Sequence, residues 1–131
     1  FPAYAGEISG HAMELPLFLA GNIAFIAVML LLVRWAAKAR SATANFWVLA
    51  WAAGNQFWNF IFHFLLVLIF DRNSPGLVTA TLIYFPLSLA LWQAARAERI
   101  VHPATLIGAI LLGGVFMGAV AAINIFHVGG L

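Results

Sequence analysis

The sequence predicts an all-α membrane protein, a four-transmembrane-helix up-down bundle, on three observations. Four apolar stretches, Leu15 to Val33, Phe46 to Phe70, Leu77 to Ala95 and Ala104 to Phe126, are each long enough to cover roughly 30 Å of hydrocarbon at about 1.5 Å per helical residue. Hydrophobic residues make up 65% of the 131 and charged residues 8%, a balance that no aqueous core absorbs. Short polar turns separate the stretches, and short connections enforce antiparallel neighbours.

Helix one is expected at about 14–35, with Pro16 in its first turn, where a missing N–H costs little, and Arg34, Trp35 and Lys38 at its end. Helix two, about 45–70, stops at the turn cluster Asp71-Arg72-Asn73-Ser74-Pro75-Gly76. Helix three, about 75–97, can take Ser74 as its cap and Pro75 at its first position, while Pro86 inside it should kink it unless neighbours satisfy the freed carbonyl. His102-Pro103 opens helix four, about 103–127, where Gly114 and Gly118 form a small-xxx-small face suited to close backbone approach. Nothing is left over for a soluble module, so residues 1–131 read as a single integral membrane domain.

Arg34, Lys38 and Arg40 follow the first span, and Arg96 and Arg99 the third; only Arg72 lies at the other helix ends. The positive-inside rule then places both basic turns in the cytoplasm and both termini on the extracytoplasmic side. Trp35, Trp47, Trp51 and Trp92 fall near the same predicted cytoplasmic ends, whereas Trp58 lies near mid-depth. A net charge of +2 from only six Lys and Arg reflects scarce acids and offers no surface for nucleic acid. Without cysteine there is no disulfide, thiolate metal site or thiol nucleophile.

Candidate function therefore rests on a few polar residues set in lipid-facing sequence. His11 and Glu14 stand at the outer mouth of helix one and Asn124 and His127 at the outer end of helix four, both i,i+3 pairs. On helix two Asn55, Asn59 and His63 recur at i,i+4, with Gln56 seven residues before His63; His63 lies roughly 11 Å below Asp71 and Asn59 about 6 Å deeper. Asn22 adds an amide deeper on helix one. Unpaired amides and imidazoles in lipid cost several kcal/mol each, so this stripe must face partners, water or a ligand.

Bland roles compete with this convergence. His11 and His127 at helix ends suit interfacial solvation, Glu14 suits a helix N-terminus, and the Asn/Gln stripe suits interhelical hydrogen bonding. His102 reads as a cap and Asp71 as a turn residue. His63 is harder to explain structurally, because a mid-helix imidazole needs partners for both nitrogens.

A carboxylate and an imidazole within reach of each other can pass a proton, which suits isomerisation, hydration or cyclisation of a lipid or isoprenoid-like substrate. Three His and one Glu would be a permissible metal shell, but no His-Glu-x-x-His or paired Glu-x-x-His motif is present and no metal is expected. An axial haem or pigment ligand would require His63 to face out of the bundle or between subunits, and Asn59 stands where a flat ring would favour a small residue.

His11-Ala12-Met13-Glu14-Leu15, Asn59-Phe60-Ile61-Phe62-His63 and Ser74-Pro75-Gly76-Leu77-Val78-Thr79-Ala80, leading to Phe85-Pro86-Leu87, occur in that order. In these segments the chain resembles the HXXEE family of small bacterial integral membrane proteins, with Leu15 where that motif has its second glutamate. The resemblance covers about half of the chain, chiefly residues 55 to 90, and implies that His11, Glu14, Asn59 and His63 form a site; it implies no particular reaction or cofactor. The expectation is an inner-membrane protein with Glu14, His63 and His11 as catalytic candidates and Asn59, Asn124, His127, Asn22 and Gln56 as substrate-binding ones. The alternative is a non-catalytic accessory subunit of a larger membrane complex, its twelve Phe contacting other chains, haem, pigment or lipid.

Overall fold

The structure, a computed structural model, describes residues 15–71 and 73–126, with the side chains of 124–126 outside that description. Four long helices fill it: α1 (Leu15–Ala39), α2 (Ala42–Phe70), α3 (Leu77–Ala97) and α4 (Pro103–Phe126). Each is long and apolar enough to cross a membrane.

The pairing of side chains fixes the helix directions. Along α2 and α4 the contacts advance together, since Gly54 meets Ala109, the Trp58 indole donates to the Ile110 carbonyl at 2.9 Å, and Asn59 reaches Met117. Against α3 they run in opposite senses, with His63 beside Gly76, Phe60 tilted against Phe85 with ring centroids 4.6 Å apart, and Phe57 tilted against Trp92 at 4.9 Å. Thus α2 and α4 are parallel and α3 is antiparallel to both, which brings the turns at 40–41 and 98–102 to one end of the bundle. Arg40, Asp71 and Arg99 each stop a helix in the left-handed region, with φ of 46°, 48° and 52°, a conformation that side chains other than Gly adopt at a cost.

Two of the helices carry a stretch of wider, i→i+5 hydrogen bonding. In α3 it covers Ala80–Tyr84, where the Phe85 N–H donates to the Ala80 carbonyl, directly ahead of Pro86. Pro86 removes a donor and crowds the preceding turn, and the widened turn makes room for its ring, while the Ser88 hydroxyl donates to the Tyr84 carbonyl at 2.7 Å. In α2 it covers Leu49–Gly54, and all of that stretch except Trp51 is buried.

The core lies at the end that carries the basic turns. Leu49, Ala50 and Ala53 of α2 pack there with Ala95 of α3 and with Leu106 and Ala109 of α4. Small residues let the backbones nearly touch, because a Cβ on Gly113 would overlap the Gly54 carbonyl carbon and a Cβ on Gly54 would lie 2.8 Å from the Ala109 oxygen. The close approach is therefore Gly54 on Ala109 and Gly113. Gly114 instead lies under the Trp58 indole, and Gly118 faces open space, so the anticipated Gly114/Gly118 face is displaced by one residue.

Helix α1 is different. None of its 25 residues is buried, and it packs mainly along Ala42–Val48, just across the turn from its own end. Further out, the Trp51 indole holds it by donating to the Phe25 carbonyl at 3.2 Å and stacking on the Phe25 ring at 5.2 Å. Beyond that clasp the helices diverge around a cavity.

Candidate functional site

The cavity, of about 340 Å³, opens between α1, α2 and α4 at the end opposite the core. Helix α2 supplies its polar wall: Asn55, Gln56, Asn59 and His63 all line it. These four lie beyond the widened stretch of α2, in regular helix, so spacings of four and seven keep them on one face. Phe18, Asn22 and Phe25 of α1 stand opposite, Met117, Val120 and Ala121 come from α4, and Thr79 and Tyr84 bring two hydroxyls from α3.

His63 is 8% exposed, and its Nδ1 lies 2.5 Å from the Ser74 hydroxyl, itself only 4% exposed. Ser74 was expected to cap helix three. It serves His63 instead: α3 starts at Leu77 after Gly76, without a side-chain cap, and the turn is closed by the Leu77 N–H donating to the Ser74 carbonyl at 2.9 Å. Gly76 abuts the other edge of the ring, where a Cβ would overlap Cε1 and Nε2. Ser74 and Gly76, both from the turn before α3, thus fix the position of an imidazole on α2. A hydroxyl can donate to Nδ1 or accept from it, so this contact holds the ring in either tautomer.

The amides are less settled. Asn55 is 7% exposed and Gln56 9%, yet Asn55 Oδ1 and Asn59 Oδ1 are buried with no hydrogen-bond partner among the described residues. The Asn59 amide nitrogen has only the Met117 sulfur at 3.7 Å, a weak acceptor. Asn22 is exposed and donates to the Phe18 carbonyl of its own helix at 2.7 Å, so it reaches the cavity as part of a loosely held wall.

Of the residues expected at a site, His63, Asn59, Gln56 and Asn22 are brought to one cavity. His11, Glu14 and His127, and the side chain of Asn124, lie outside the described residues. His102 stands at the far end, where its Nδ1 accepts from the Ala104 N–H at 3.2 Å as the cap of α4. Among the described residues no group of three His, Cys, Asp or Glu stands close enough to hold a metal ion. The His63 ring is buried, with Nδ1 on Ser74 and Nε2 beside Gly76.

Sequence reasoning did not reach Thr79, Tyr84 or the service that Ser74 gives to His63. Thr79 and Tyr84 are five residues apart, a spacing that regular α-periodicity sends to different faces and the widened turn at Ala80–Tyr84 restores to one. Pro86 was the available signal.

Residues 9–92 match the model of a family described as a protein of unknown function with HXXEE motif. No curated protein and no solved structure matches the chain.

Proposed function

We propose that this chain, which belongs to the HXXEE family, is a membrane-embedded enzyme that draws a lipid or isoprenoid-like substrate into the cavity of its bundle and moves a proton on it. The observation that carries this reading is a buried imidazole, held by Ser74 and Gly76, on the wall of an amide-lined hollow within helices built to cross a bilayer. Polar groups at that depth are costly and persist where they have work to do.

His63 is the proton carrier, with Glu14 as its acid/base partner and His11 beside it; Asn59, Gln56, Asn22, Asn124 and His127 position the substrate. Isomerisation suits such a pair best, since a proton lost at one carbon is returned at another and no co-reactant is consumed. Exclusion of water by Phe18, Phe25 and Met117 strengthens every electrostatic contact in the hollow. The positive-inside rule, applied to the basic turns, supports a cavity in the extracytoplasmic half of a bacterial inner membrane.

The test compares the membrane lipid and isoprenoid profiles of cells producing the wild-type protein, His63→Gln or Glu14→Gln at equal membrane levels. A species that changes with the wild type and with neither variant supports the reading; profiles identical in all three overturn it.

A second reading, an accessory subunit of a larger membrane complex, is favoured by α1, which buries none of its residues. Native purification separates the two, because a stable monodisperse single-chain species is expected of the enzyme and co-purification in fixed proportion with other chains is expected of the subunit.

A further inference from the structure

The end of the bundle away from His63 holds a second concavity, which the proposed chemistry does not use. A cleft of about 510 Å³ opens at the turn between α3 and α4, lined by Arg96, Arg99, Val101, His102 and Pro103. The turn gathers these residues. Arg99 takes the left-handed conformation after α3, with φ of 52°, and the Ile100 N–H folds back onto the Ala95 carbonyl at 3.0 Å. This reverses the chain and sets Arg99 and His102 beside the end of α3 that carries Arg96.

The polar side chains of that lining offer donors. Each guanidinium has five N–H groups in a planar fork and no acceptor. The His102 Nδ1 already accepts from the Ala104 N–H at 3.2 Å, so the neutral ring carries its proton on Nε2 and donates there. Acids are scarce nearby. Of the four in the chain, Glu7 and Glu14 precede the start of α1 and Asp71 ends α2, both points at the other end of the bundle. Glu98 alone is close, and its exposed side chain is outside the lining. Two cations on one cleft repel each other until an anion bridges them.

Position identifies that anion. The cleft lies where two spanning helices reach the membrane surface, the level of the lipid phosphates, and basic pockets between helices at that level suit anionic head groups. Arginine forks match phosphate oxygens in pairs. An apolar row also leads from the cleft toward the hydrocarbon: Ile107, Leu111 and Val115 follow Pro103 at intervals of four on α4 and are 59%, 60% and 66% exposed. An acyl chain can lie along this row, for which a free phosphate ion has no use.

We infer that the cleft binds the phosphodiester of an anionic phospholipid, with Arg96, Arg99 and His102 on the head group and an acyl chain along Ile107, Leu111 and Val115. The site is separate from the cavity around His63 and does not depend on the proposed enzyme.

Lys38 and Arg40 supply the control, because they stand at the same end of the bundle, by the other turn, and do not line the cleft. Basic residues that only orient the chain across a membrane act by their number, so removing either pair would then matter alike. The test is native mass spectrometry of the full-length protein in detergent, titrated with phosphatidylglycerol and with phosphatidylcholine of the same chains, whose choline brings a further cation. The wild type is expected to bind the anionic lipid at least about tenfold more tightly. Arg96→Gln/Arg99→Gln should lose that preference and Lys38→Gln/Arg40→Gln should keep it. Equal weakening by the two double variants, or no preference in the wild type, overturns the site. Displacement of the anionic lipid by millimolar inorganic phosphate overturns the lipid as occupant and gives the cleft to a free phosphate. Should Arg96→Gln/Arg99→Gln fail to fold, Arg96→Lys/Arg99→Lys keeps the charge and loses the forks; it should bind at least about threefold more weakly than the wild type, and unchanged binding overturns the assignment.

Discussion

Gly76→Ala isolates the contact that holds His63. Gly76 has φ of −88° and ψ of −11°, a conformation open to any residue, so the substitution strains no backbone and its effect is steric. The new methyl would overlap Cε1 and Nε2 of His63 and lie 3.0 Å from Cδ2. The ring must retreat by about 1 Å, a displacement of the overpacked kind that costs roughly 1–3 kcal/mol. Retreat also lengthens the buried contact to Ser74, and an unsatisfied buried group costs roughly 1–3 kcal/mol more, against about 0.4–1 kcal/mol gained by stiffening the unfolded chain. A net loss of about 2 kcal/mol is expected. Reversible unfolding in mild detergent, followed by tryptophan fluorescence, measures it, and the ring 15N shifts of His63 report the lost bond. In a His63→Ala background the methyl has room and the same substitution should cost nothing. Equal losses in both backgrounds, or no loss in either, would refute the contact.

At the helix crossing, Gly113→Ala sets a Cβ 2.5 Å from the Asn55 backbone nitrogen and should cost about 3 kcal/mol, because backbone cannot step aside; Gly118→Ala, with nothing within 4 Å, should be neutral or stabilising by up to about 1 kcal/mol in the same unfolding assay. Asn59→Leu removes an amide whose buried oxygen has no partner among the described residues and should raise stability by about 1 kcal/mol in the same unfolding assay; a loss of that size would refute the unsatisfied oxygen. Asp71→Gly relieves a left-handed helix stop and should stabilise by about 0.5–1 kcal/mol, whereas Asp71→Ala should not; thermal unfolding of the pair decides it.

The four helices were legible because lipid imposes a one-dimensional rule: long apolar runs interrupted by Asp71 to Gly76 or by Arg96 to Pro103 leave no other arrangement of the backbone. The polar face of α2 was legible for a similar reason, since Asn55, Asn59 and His63 lie in one regular stretch. What periodicity missed depends on the widened turns. One extra residue per turn rotates everything beyond it by about 100°, so α-helical counting across Leu49–Gly54 or Ala80–Tyr84 assigns the wrong face. Tyr84 accordingly joins Thr79 at the cavity; α4 has no such turn, and the crossing uses Gly113 in place of Gly114 because it is Gly113 that meets Gly54, while Trp58 covers Gly114. Ser74 was misassigned on different grounds. A serine ahead of a helix can serve the helix or a neighbour, and the choice is made by His63, eleven residues earlier, which only the folded turn brings within reach.

The most direct measurement of the central claim is a high-resolution structure of the protein purified in native lipid nanodiscs, read at the space between α1, α2 and α4. The account predicts one elongated density with its compact end within hydrogen-bonding distance of Asn55 and Asn59, near His63, and its tail running past Phe18 and Val120 to the bilayer. A collapsed space, with Asn55 and Asn59 bonded to each other or to packed side chains and α1 pressed onto α4, would contradict it.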